Sequence, residues 1–169
     1  MRSIVQSSYL SVQAFLLFSC VVGMGFAYYL QYGQGYEPCP LCILQRVGVF
    51  GLMVFSLMSI IHRPKMFLFR RAYVFLGAVS ILWSAGVAAR HVWLQNLPAD
   101  EVPSCGAGLD YLMETFPLMT VLREVLTGSG ECAVIDWTFL GQSLPVWSFL
   151  FFGVLAVVSL WQLFRVYPQ

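Results

Sequence analysis

Five cysteines carry the chemistry this sequence could perform, and their spacing sorts them into three kinds. Cys39 and Cys42 form a C-x-x-C, Cys105 and Cys132 enclose 26 residues, and Cys20 stands alone in an apolar run. A disulfide across Cys105 and Cys132 could serve as a plain staple, worth about 2–4 kcal/mol, so that pair read alone fits a structural bridge as well as a redox one. A C-x-x-C closes too small a loop to gain much as a staple, and its common uses are redox exchange and metal binding. Cys42 falls where a helix begins, facing unpaired N–H groups and the positive end of the helix dipole. Arg46 follows at i+4 on the same face. Both stabilise an anionic sulfur, the reactive form of cysteine. Gln45 stands next to Arg46 as a possible polar contact, and a second ionisable pair, Arg90 and His91, lies farther on.

The elements that must hold these residues are membrane helices. The chain of 169 residues is 59% hydrophobic and 10% charged, against roughly 25% charged in ordinary soluble domains. Four apolar stretches, about 10–30, 42–61, 72–91 and 146–164, each approach the ~20 residues needed to cross a bilayer. The expected fold is all-α: one integral membrane domain over residues 1–169, a four-helix bundle. The first stretch contains Leu17-Phe18-Ser19-Cys20, superficially a lipoprotein cleavage site. The apolar run continues to Leu30, longer than the ~7–15 residues of a signal core, so it reads as a retained span. Cys20 is then a small buried hydrophobe.

Charge fixes the expected orientation. Six of the nine Lys/Arg residues (Arg2, Arg63, Lys65, Arg70, Arg71, Arg165) fall at one end of the four stretches, and all eight acidic residues fall in loops at the other. The Lys/Arg bias puts both termini and the middle loop in the cytoplasm. Loops 31–41 and 92–144, with Cys39, Cys105 and Cys132, then face outward. In a bacterium that is the periplasm, where disulfides persist. Cys42 sits at the same outer edge, and a span running outward from Arg71 brings His91 near the depth of Cys42 and Arg46. An arginine one turn inside a span is costly and usually marks function; the bland alternatives are a snorkelling arginine and a boundary histidine. The 53-residue loop 92–144 is long for a connector. Its apolar residues, interrupted at Pro117, suggest short helices on the membrane surface or a small packed ectodomain. A net charge of +1 suggests no nucleic-acid partner.

Taken in order, these residues resemble the disulfide bond formation protein B family, DsbB, over almost the whole chain. The resemblance rests on Cys39-Pro40-Leu41-Cys42, Arg46, Arg90-His91-Val92-Trp93-Leu94-Gln95, Ser104-Cys105-Gly106, Gly130-Glu131-Cys132, Phe139-Leu140-Gly141 and Pro145-Val146-Trp147. It implies an inner-membrane thiol:quinone oxidoreductase that reoxidises a periplasmic DsbA-like dithiol oxidase. The relay from DsbA through DsbB to quinone keeps the periplasm oxidising. By resemblance, Cys105 forms the mixed disulfide with the DsbA-like partner and Cys132 is its partner cysteine. Their disulfide is regenerated by exchange with Cys39/Cys42. Cys42 faces ubiquinone or menaquinone, with Arg46 and His91 at a quinone oxygen. A four-cysteine zinc site is the metal alternative. Its second pair lacks close ligand spacing and the compartment favours disulfides, so no metal is expected. A structural tetraspan with stapled loops would leave Arg46 beside a C-x-x-C unexplained.

Overall fold

The computed structural model describes residues 2–98, 100–101, 109–128, 130–135 and 137–165. Four long helices dominate it: α1 (Arg2–Tyr28), α2 (Pro40–His62), α3 (Phe67–Gln95) and α7 (Leu144–Phe164). Each is long and apolar enough to cross a membrane. Three short helices, α4 (Leu109–Thr115), α5 (Leu118–Thr127) and α6 (Gly130–Ala133), lie between α3 and α7. Pro117 separates α4 from α5 and occupies the N-cap of α5, the interruption its missing N–H imposes.

The order of packing follows from which faces are small. α3 packs against both α2 and α7, and α2 also packs against α1. The buried residues of α2 (Leu41, Gln45, Gly48, Val49, Leu52, Ser56, Ser59) recur every three or four positions, as do Gly77, Ala78, Ile81, Ser84, Val87, Ala88, His91 and Leu94 of α3. Lipid offers helices no hydrophobic drive to associate, so small residues and interhelical hydrogen bonds hold the contact. A Cβ on Gly48 would collide with the Ser84 hydroxyl and the Ser80 carbonyl of α3, and the Ser84 hydroxyl donates to the Gln45 carbonyl at 2.7 Å. Gly48→Val is expected to force α2 and α3 apart and cost about 1–3 kcal/mol, read as a lower unfolding temperature in detergent. An unchanged value would remove this contact from the account.

Cys20 lies fully buried among Leu16, Val49, Leu52, Ile81 and Phe152 in the main core, in keeping with a filler role. Near the basic ends of the helices, polar side chains clasp α1 to its neighbours. Tyr9 Oη lies 2.6 Å from Ser59 Oγ, and Gln13 Nε2 donates to Gln162 Oε1 at 2.9 Å. These bonds link elements far apart in sequence.

The helical reading has one exception. Thr138–Phe139 (β1) and Gln142–Ser143 (β2) form a minimal antiparallel hairpin. Its two turn residues, Leu140 (φ 51°) and Gly141 (φ 76°), both have positive φ, the requirement of a tight two-residue hairpin. The hairpin is tied to α3 and α7: Ser143 Oγ donates to Gln95 Oε1 at 2.6 Å and Trp147 Nε1 to the Phe139 carbonyl at 3.1 Å.

Candidate functional site

The C-x-x-C is built into the start of α2. Cys39 is the N-cap, with extended backbone (φ −63°, ψ 161°), and Pro40 occupies the first helical position, where its fixed φ suits the helix and its missing N–H costs nothing. Cys42 then falls on the third helical residue, and its backbone N–H donates to Cys39 Sγ at 3.4 Å. The capping geometry brings the two sulfurs to 3.1 Å as free thiols.

His91, 3% exposed on α3, faces this pair. Its Nδ1 lies 3.9 Å from Cys42 Sγ and its Nε2 3.9 Å from Cys39 Sγ. Nε2 is also 3.0 Å from the backbone carbonyl of Cys132. A carbonyl can only accept, so the ring proton is assigned to Nε2 and Nδ1 keeps its lone pair. Gln45 Nε2, 3.3 Å from Nδ1, fits as its donor. One imidazole thus joins the C-x-x-C to the chain at Cys132. Cys132 is itself buried with Leu41, Val87, Leu94, Val121 and Val125, and Cys39 packs against that cluster.

Arg46 is half-buried and turned toward α1. Nη1 donates to Gln31 Oε1 at 2.5 Å, Nη2 reaches the Ala27 carbonyl at 3.5 Å, and Cζ lies 5.2 Å from the Tyr28 ring centroid. A snorkelling arginine would leave its head to lipid and water; this one is held by the last turn of α1 and the π-helical turn Tyr29–Gly33. Gln31 is a partner the sequence reading missed, because it falls just past the expected end of the first span.

Arg90 and His91, adjacent in sequence, part company. Arg90 donates from Nε to the Leu126 carbonyl at 3.2 Å and from Nη2 to the Thr127 carbonyl at 2.9 Å, with Cζ 4.0 Å from the Trp93 ring centroid. It caps the last turn of α5, where carbonyls lack helical partners and a cation is favoured. Arg90→Ala is expected to loosen α5 without touching the thiols. Two charge-assisted bonds are lost at roughly 1.5–3 kcal/mol each, so amide exchange across 118–128 should speed up by about tenfold or more. Unchanged exchange there would contradict this role.

Cys39, Cys42, Gln45, Arg46 and His91 share the wall of one cavity of about 470 Å³. The rest of the wall is largely apolar and aromatic, including Phe26, Trp137, Trp147 and Phe151. Trp137 packs edge-on to Phe26 and stacks on Phe139 at ring-centroid distances of 6.3 and 6.0 Å. The volume lies within the ~300–1,000 Å³ usual for small-molecule sites, and an apolar wall with a few convergent polar groups is their usual chemistry. A flat, apolar ring with polar oxygens fits it. Of the sequence-derived site residues, the structure brings together Cys39, Cys42, Arg46 and His91 and sets the Cys132 carbonyl against them; Cys105 lies outside the described residues.

These features define a membrane-embedded dithiol–disulfide enzyme. The chain matches the family described as "Disulfide bond formation protein DsbB" over residues 10–162. It is similar to the disulfide bond formation protein B of Acinetobacter baumannii, 58% identical over 161 residues that cover 95% of this chain and 94% of the relative. The protein of that name from Acinetobacter baylyi is 56% identical, covering 97% and 96%, and that from Hahella chejuensis 51%, covering 85% and 87%. The chain therefore belongs to the DsbB family. It is a quinone-dependent disulfide oxidoreductase acting in disulfide bond formation.

Proposed function

We propose that this chain takes electrons from a DsbA-like periplasmic dithiol through Cys105 and Cys132, moves them to Cys39 and Cys42, and delivers them to ubiquinone or menaquinone in the cavity beside Cys42. The observation that carries this reading is the shared cavity wall: thiols, imidazole and guanidinium converge on one apolar space, and the Cys132 carbonyl is bonded to that same imidazole. In the proposed orientation the cysteine end of the bundle faces the periplasm and both termini face the cytoplasm of the inner membrane, as the Lys/Arg asymmetry supports.

The sulfur chemistry balances at each exchange. A partner thiolate attacks the Cys105–Cys132 disulfide, and the resulting mixed disulfide on Cys105 is resolved by the partner's second thiol. The partner leaves oxidised, and Cys105 and Cys132 are left as a dithiol. That dithiol reduces the Cys39–Cys42 disulfide in the same way, each exchange passing two electrons. When bound, the quinone supplies the terminal two-electron acceptor. Cys42 presents its sulfur to the cavity, and Arg46 holds a fixed positive charge where negative charge develops, the preorganised help such a site needs. His91, with a lone pair on Nδ1 beside Cys42 Sγ, takes up the thiol proton.

Anaerobic mixing of the purified protein with a reduced DsbA-like partner and a soluble quinone analogue tests the reading, with quinone absorbance as the signal. Quinone consumption in step with partner oxidation is expected. Partner oxidation without quinone consumption, or no oxidation at all, would overturn it.

A further inference from the structure

We propose that the reduced C-x-x-C and His91 form a binding site for one soft divalent cation, of the zinc or cadmium class, that shuts off electron delivery. The inference rests on the proposed cycling of Cys39 and Cys42 through a dithiol. One ligand atom from each of Cys39, Cys42 and His91 lies within 4.8 Å of the others. At metal–sulfur and metal–nitrogen distances of about 2.3 and 2.0 Å, tetrahedral coordination needs sulfurs roughly 3.8 Å apart and sulfur–nitrogen edges of roughly 3.5 Å. The sulfurs stand at 3.1 Å and the Cys42 Sγ–Nδ1 edge at 3.9 Å, each within about 1 Å of the edge an ion needs, and Cys39 Sγ, now 3.9 Å from Nε2, closes the third edge by turning toward Nδ1.

The imidazole is already set for this role. A ligating histidine almost always donates its other ring N–H to a carboxylate, carbonyl or water. Here Nε2 is bonded to the Cys132 carbonyl, leaving the Nδ1 lone pair toward the sulfurs. The Gln45 contact on Nδ1, at 3.3 Å, is longer than the 3.0 Å bond from Nε2 to the Cys132 carbonyl, and an ion would replace the Gln45 donor. Two sulfurs and an imidazole select soft cations over magnesium or calcium. The fourth position opens on the cavity, where water can complete the coordination. Binding displaces protons from the two thiols and changes no oxidation state. Both electron-carrying sulfurs are then tied up, so the cation and quinone reduction compete for the same dithiol.

The test uses the full-length chain in detergent carrying Cys105→Ser and Cys132→Ser, with Cys20 buried, so that the C-x-x-C supplies the accessible thiols. The protein is reduced without oxygen, freed of reductant and titrated with cadmium, and the ultraviolet sulfur-to-cadmium absorbance is followed. Saturation at one ion per chain with proton release is expected, abolished by Cys42→Ser and weakened about tenfold or more by His91→Gln. Gln45→Ala should bind at least as well as the parent. Absence of a saturable signal, full-strength binding by His91→Gln, or equal weakening by Gln45→Ala would overturn the site. Should His91→Gln fail to fold, cadmium NMR of the parent reads the donor set directly: two sulfurs with one nitrogen supports the site, and sulfur with oxygen alone overturns it. Turnover of the unsubstituted enzyme is measured separately. Turnover without cadmium binding overturns the cation site alone, and cadmium binding without turnover overturns the oxidase reading alone.

Discussion

Cys42→Ala is expected to reduce quinone-dependent oxidation of a DsbA-like partner to background, a loss of at least about a thousandfold of the kind seen when a nucleophile is removed. The reason is stoichiometric. Disulfide exchange needs a second sulfur to expel the first, and Cys39, whose sulfur sits 3.1 Å from Cys42 Sγ, has no other cysteine within the same helix turn. Without Cys42, no two-electron disulfide can close at the cavity wall. Partner thiols could still attack Cys105–Cys132 once, so a single stoichiometric oxidation should survive while repeated turnover does not. Thiol titration of the partner after anaerobic mixing separates these outcomes. Undiminished turnover would remove the C-x-x-C from the electron path. Cys42→Ser, nearly isosteric, controls for the half-buried position, because a fold defect alone would spare it.

How much of this was legible in the sequence depends on whether a feature is local. The four helices follow from runs of apolar residues, but their ends do not: α1 begins at Arg2, before the expected 10–30, and α3 runs from Phe67 to Gln95, past the expected 72–91. That Cys42 and Arg46 lie on one helix face follows from helical period alone, and both line the same cavity, although Arg46 makes its bonds to Gln31 and Ala27. The depth of His91 follows from rise per residue, and the structure sets one ring nitrogen 3.9 Å from each sulfur. What escaped are contacts made by elements that fold back. No local pattern predicts that the Cys132 carbonyl meets His91, because this needs α6 docked on α3. Nor does anything local separate Arg90 from His91. A difference of one residue is about 100° on a helix, enough to aim one at α5 and the other at the thiols. Gln13 and Gln162 vanished into hydropathy averages, although a buried polar pair in a span is as informative as a charge. The hairpin at Leu140-Gly141 was visible only as a motif, since two-residue strands are too short to show alternation.

Arg46→Ala is the second large effect, and it should fall on the quinone half of the cycle. Removing one preorganised donor from a site that develops negative charge typically costs about 10²–10³ in rate. Turnover with quinone should therefore drop about a hundredfold, with a raised apparent KM. Disulfide exchange among the cysteines should fall far less, since Arg46 makes its hydrogen bonds to Gln31 and Ala27 rather than to a sulfur and acts on Cys42 only through its charge. Single-turnover oxidation of the reduced partner by the pre-oxidised enzyme, with quinone omitted, isolates that exchange. Arg46→Lys keeps the charge but loses the planar fork that reaches two α1-side partners at once, so it should recover only part of the loss. Gln31→Ala gives a milder version of the same defect, because the guanidinium loses its shortest hydrogen bond while the charge stays. An unchanged quinone KM in Arg46→Ala would move the arginine out of the quinone site. A collapse of the quinone-free exchange in that variant would mean that it supports the fold of the C-x-x-C instead.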